Sequence, residues 1–139
     1  MDKFIKFNIN GKQISFYDCG DKNADIVYVS SYIDSAERLL SECKKLIKKP
    51  FSLVSVCGIR WDEELSPWPS APVVSKDDRF TGEADKYAKF LAEYILPRTK
   101  TASEPKNRIL AGYSMAGLFA LYAPYVTDKF NKLVSASGS

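Results

Sequence analysis

Arg108-Ile109-Leu110-Ala111-Gly112-Tyr113-Ser114-Met115-Ala116-Gly117-Leu118-Phe119-Ala120-Leu121 is the stretch on which the reading of this chain turns. Residues 108–112 form a short apolar run of the kind that suits a strand buried on both faces. Met115–Tyr122 is apolar and reads as a helix, with Pro124 near its end. Between them lies Gly-x-Ser-x-x-Gly, so a serine stands where a strand turns sharply into a helix. That is the setting a nucleophile elbow needs. Gly112 and Ala116 are small enough to let strand and helix approach, and Ser114 would take a strained conformation that lifts its hydroxyl above the carboxyl edge of a sheet. Met115, at the helix N-terminus, would offer its backbone N–H to an oxyanion. The glycine usual two residues after such a serine is Ala116 here, with Gly117 next.

Upstream of this segment, residues 4–8 and 13–17 alternate polar and apolar about Asn10-Gly11, a hairpin signal. Residues 26–29 read as a buried strand. Asp34-Ser35 caps a predicted helix with apolar positions Leu39, Leu40, Cys43, Leu46 and Ile47, stopped by Pro50. Phe51–Cys57 reads as a second buried strand. Residues 59–82 then read as a long irregular segment holding Trp61 and Trp68. A helix is expected over 83–96, with the stripe Tyr87, Phe90, Leu91, Tyr94 and Ile95, closed by Pro97. Residues 99–107 read as a polar linker, and Lys132–Ala136 as a fourth buried strand. After the hairpin the order is β, α, β, loop, α, β, α, β. Such alternation implies a mostly parallel sheet with helices on both faces, and residues 1–139 read as a single domain.

Composition narrows the function. Of 139 residues, 45% are hydrophobic and 27% charged, ordinary for a globular chain. The net charge of +3 gives no case for nucleic acid. Lys44, Lys45, Lys48 and Lys49 read as one solvated helix face. No apolar run reaches the ~20 residues a bilayer span needs, and no signal-peptide core opens the chain. The three cysteines, Cys19, Cys43 and Cys57, lack CxxC spacing. Reduced thiols in a cytoplasmic protein are expected, with Cys57 packed as a small hydrophobe. The chain has no histidine, so zinc sites with histidine ligands are excluded, and no motif proposes a cofactor.

The segment AGYSMAGLFALYA, the loop RWDEELSPWPSAP and the ending KLVSASGS together resemble the esterase family of α/β hydrolases that includes esterase D and the siderophore esterases. The resemblance runs from about Asp25 to Ser139. It implies an α/β-hydrolase-like fold acting on a small-molecule ester, with Ser114 as nucleophile and the Met115 N–H as oxyanion donor. A second donor would come from the loop after the strand ending at Ser30, from the N–H of Ser31 or Tyr32. Trp61, Asp62 and Trp68 would overhang the site and shape its pocket, although the tryptophans could equally fasten their loop to the core. Family members continue past the elbow helix to an acidic residue and a histidine, and neither has a counterpart here. Three accounts follow: a chain truncated after about the sixth strand, nearly inactive alone and open to self-association along the exposed sheet edge; a non-catalytic binding module; or an esterase with a lysine as base.

Overall fold

The computed structural model describes residues 3–71, 79–99, 105 and 107–136. Of the predicted loop and linker, residues 72–78, 100–104 and 106 lie outside these, as do 137–139 of the ending.

Alternation at both sides of Asn10-Gly11 produces the hairpin β1 (Ile5–Ile9) and β2 (Lys12–Tyr17), paired antiparallel. The turn needs positive φ at two successive residues; Asn10 (52°) and Gly11 (80°) supply it. There follow β3 (Asp25–Ser30), α1 (Ala36–Leu46), β4 (Phe51–Cys57) and the short helix α2 (Trp61–Leu65). Next come a two-residue ladder of β5 (Pro69–Ser70) with β6 (Phe80–Thr81), then α3 (Ala84–Phe90), β7 (Arg108–Tyr113), α4 (Met115–Tyr122) and β8 (Lys132–Ala136). The main sheet has six strands in the order β1-β2-β4-β3-β7-β8, parallel from β4 through β8 and antiparallel at the hairpin.

Period-two alternation divides the strands between two cores. Ile26, Tyr28, Val54, Val56 and Leu110 face α2, α3 and α4, where Tyr87, Leu91, Phe119 and Ala120 complete the larger cluster. Val27, Leu53 and Phe51 face the other way, onto Leu40 of α1. Helices thus cover both faces, as the strand–helix alternation requires. Cys57 is buried, and burial pushes its thiol pKa up, as suits a packing residue.

Several local expectations are corrected. α1 ends at Leu46, ahead of Pro50, so Leu46 is 81% exposed and Lys48 and Lys49 lie beyond the helix, although all four lysines are solvated as expected. Residues 59–82 are not irregular throughout, since α2 and the β5–β6 ladder stand within them. Pro97 does not close the third helix at 96. The chain passes from α3 into a π-helical turn (Leu91–Ile95) and a 3₁₀ turn (Leu96–Arg98), where proline sits at a first-turn position that needs no N–H. β8, whose apolar run reads as buried, stands at the exposed sheet edge that is also expected; Leu133 is 36% and Val134 55% exposed, because nothing among the described residues pairs its outer side.

Candidate active site

The strand-to-helix turn at Ser114 is built as tightly as its residue types allow. Ser114 has φ 54° and ψ −127°, a left-handed conformation unfavourable for a residue with a side chain. Two contacts brace it. Its N–H donates to the Ala136 carbonyl (2.9 Å), and the Ser135 hydroxyl donates to the Gly117 carbonyl (2.9 Å), so β8 grips both arms of the elbow. A Cβ on Gly112 would come 2.5 Å from the carbonyl oxygen of Ala116, and one on Gly117 would come 2.8 Å from Ser135 Oγ. Gly112, which faces backbone atoms, therefore requires glycine for close approach, whereas a methyl group at Gly117 would first displace the Ser135 hydroxyl.

Because the turn stores strain, its relief is measurable. Ser114→Gly should raise stability by about 1 kcal/mol, read as an upward shift of the urea midpoint. Destabilisation by the same substitution would show that the left-handed conformation is unstrained.

Met115 is the first residue of α4, and its N–H lies among those a helix leaves without an internal acceptor; the first such bond runs from Leu118 N–H to Ser114 O (3.1 Å). At the adjacent strand the two candidate donors separate. The Ser31 N–H donates to the Val56 carbonyl (2.8 Å), extending the β3–β4 ladder, and so is committed. The Tyr32 N–H has no hydrogen bond among the described residues. Val29 pairs with Ala111, and running that register forward sets Tyr32 level with Ser114 on the carboxyl edge.

Beside this edge an open cleft of about 690 Å³ is lined by Tyr32, Ile59, Arg60, Trp61, Asp62, Glu63 and Arg79. Its aromatic wall is Tyr32 against Trp61, edge to face with ring centroids 5.6 Å apart. Asp62 is partly buried and accepts weakly from the Arg79 N–H (3.4 Å). Trp68 is 58% exposed and stands outside the cleft lining, so the structure brings Trp61 and Asp62 to the cleft and leaves Trp68 apart. Arg60 is held by Glu83 (3.0 Å), Glu64 (3.7 Å) and Glu63, and its hydrogen bond to Glu83 raises its pKa further.

A buried lysine with access to the serine is not found among the described residues. Lys12 is buried, but its ammonium is paired with Glu64 (2.7 Å), and β2 lies three strand spacings from β7, roughly 14 Å. Sequence reasoning missed Glu64, which is buried although its neighbours Asp62 and Glu63 are not.

A mostly parallel sheet with helices on both faces and a strained serine between strand and helix defines an α/β-hydrolase-like fold. The structural neighbours include siderophore hydrolases, an enterochelin esterase and a serine hydrolase. The siderophore hydrolase EstB of Aspergillus nidulans matches with TM-score 0.70 and 19% identity over 99% of this chain and 56% of its own. The BES protein of Bacillus cereus matches with TM-score 0.75 and 20% identity over 99% of this chain and 63% of its own. An IroE-like serine hydrolase of Shewanella oneidensis matches with TM-score 0.70 and 14% identity over 94% of this chain and 48% of its own. The chain therefore spans about half to three fifths of the length of these proteins, and at such identities the likeness is one of fold. No family model and no curated protein matches the chain. No helix among the described residues is long and apolar enough to cross a membrane.

Proposed function

We propose that residues 1–139 form the nucleophile-bearing, N-terminal part of an α/β-hydrolase domain, belonging to a serine ester hydrolase. The observation that carries this is the positive φ of Ser114 at the strand–helix turn. An inert serine in a loop has no need of such strain, whereas a nucleophile does, because the turn exposes its hydroxyl next to free N–H groups. In the proposed reaction Ser114 Oγ attacks the ester carbonyl carbon while a base takes its proton. The N–H groups of Met115 and Tyr32 stabilise the oxyanion, the alcohol leaves with a proton, and water then hydrolyses the acyl-serine. Trp61 and Tyr32 wall the pocket. The neighbours named as esterases, a ferulic acid esterase and an enterochelin esterase, support an ester substrate of small-molecule size.

The base must come from outside these 139 residues, which contain no histidine. Alone the chain is therefore nearly inactive. The test is hydrolysis of p-nitrophenyl acetate with imidazole supplied as base, by the chain and by Ser114→Ala. Loss of turnover in the variant supports the reading, and equal turnover refutes it.

The missing histidine favours one other reading, a non-catalytic module that binds ligands in the Tyr32–Trp61 cleft. That module would bind equally well with Ser114→Ala and show no imidazole-assisted turnover that depends on Ser114.

The same proposal extends to partners and location. The β8 edge, unpaired among the described residues and with Leu133 and Val134 exposed, is a template for pairing with a second copy. Sedimentation is expected to show concentration-dependent dimers, and a monomer at high concentration would contradict this. The cysteines are free, which accords with a reducing, cytoplasmic setting.

A further inference from the structure

We propose that Lys12 and Glu64 are positioning residues that hold α2, and with it Trp61, against Tyr32 at the edge that carries Ser114. This rests on the reading of Ser114 as the nucleophile. The two side chains are 9% and 10% exposed and join across 52 positions of sequence, from the start of β2 to the end of α2. Replacing such a buried pair by apolar groups is often neutral or stabilising, so stability alone does not account for it.

What the pair does can be read from the contacts of Glu64. Its Oε1 accepts from Lys12 Nζ (2.7 Å), and its Oε2 accepts from the backbone N–H of Arg60 (2.8 Å), the residue just before α2. α2 has only five residues and no side-chain cap at Arg60, too short to persist unaided. The carboxylate constrains the helix's first turn, beside the bond from the Glu83 N–H to the Glu63 carbonyl (3.0 Å) and the burial of Leu65 at its end. Trp61 follows Arg60 directly, and its ring meets Tyr32.

A second route leads to the same place. Lys12 Nζ lies 5.0 Å from the ring centroid of Phe90 and 6.0 Å from that of Tyr87. The Tyr87 hydroxyl is hydrogen-bonded to Ser30 Oγ (2.6 Å), two residues before Tyr32. Lys12 thus touches both supports of Tyr32, whose N–H is the proposed second oxyanion donor.

The experiment uses the 139-residue chain in a Trp68→Phe background, so that Trp61 is the one remaining tryptophan. Three variants are compared: Glu64→Gln, which keeps an acceptor for the Arg60 N–H; Lys12→Met; and the double variant Lys12→Met/Glu64→Leu, which restores an apolar fit and removes both hydrogen bonds. The first readout is acrylamide quenching of Trp61 fluorescence, which needs no catalysis. Quenching is expected to rise by about twofold in the double variant as α2 opens locally, and to stay near the parent value in Glu64→Gln. The second is imidazole-assisted, Ser114-dependent hydrolysis, expected to fall by about tenfold to a hundredfold in kcat in the double variant.

Unchanged quenching in a folded double variant overturns the proposal whatever the serine does. Raised quenching with an unchanged kcat also overturns it, because the loop would then not serve the reaction. If the parent shows no Ser114-dependent turnover while quenching responds as expected, the esterase reading fails, and the pair stands as the device that positions the wall of the Tyr32–Trp61 cleft.

Discussion

Mixed with p-nitrophenyl acetate, the 139-residue polypeptide is expected to turn over no faster than its Ser114→Ala variant. Its rate should lie about 10⁴- to 10⁶-fold below that of a serine esterase with a complete triad. The reason is chemical. A serine hydroxyl at neutral pH is a weak nucleophile until a neighbouring base removes its proton, and the chain has no histidine to act as that base. Lys12, the buried lysine, is committed to Glu64 two strands beyond β3. Oxyanion donors alone leave only a small residual rate. Imidazole should restore part of the loss, raising the Ser114-dependent rate by about tenfold to a hundredfold, below what a positioned base delivers. A polypeptide extended through the natural sequence beyond Ser139, where that supplies a histidine, should recover the rest. Turnover by the short chain that depends on Ser114 without added base would show that another group acts as base.

The second large effect concerns stability. Gly112→Ala is expected to lower it by about 3 kcal/mol, measured as a fall in the urea midpoint. The new methyl group would meet the Ala116 carbonyl oxygen at 2.5 Å, its carbonyl carbon at 2.6 Å and its Cβ at 2.8 Å. Two of these three are backbone atoms of α4, so relief requires α4 to move away from β7, loosening the turn at Ser114. Leu46→Ala, at an 81% exposed position, serves as the control and should change stability by less than ~0.5 kcal/mol. Equal midpoints for the two variants would mean that strand and helix do not need to approach so closely.

The tight strand–turn–helix at Ser114 was legible in the sequence because everything it requires is local: an apolar run, two small residues, a serine and an apolar helix within fourteen positions of chain. The Asn10-Gly11 hairpin and the four parallel strands were legible for the same reason, since period and turn chemistry are written in adjacent residues. What escaped depends on contacts between distant residues. Glu64 looks like one more charge in Asp62-Glu63-Glu64 until β2 brings Lys12 beneath it. Ser31 and Tyr32 could not be told apart as donors, because the choice depends on whether Val56 of the neighbouring strand takes the N–H. Trp61 and Trp68 are equivalent as sequence, but only the ring of Trp61 meets Tyr32.

The central claim, that Ser114 is a nucleophile presented by a strained turn, is tested most directly by finding where an acyl group lands. The chain is incubated with p-nitrophenyl acetate and imidazole, quenched in acid, digested and analysed by mass spectrometry beside Ser114→Ala. An acetyl ester on the peptide containing Ser114, absent from the variant, is the predicted result. Acetylation confined to lysines or cysteines, with hydrolysis unaffected by Ser114→Ala, would contradict it.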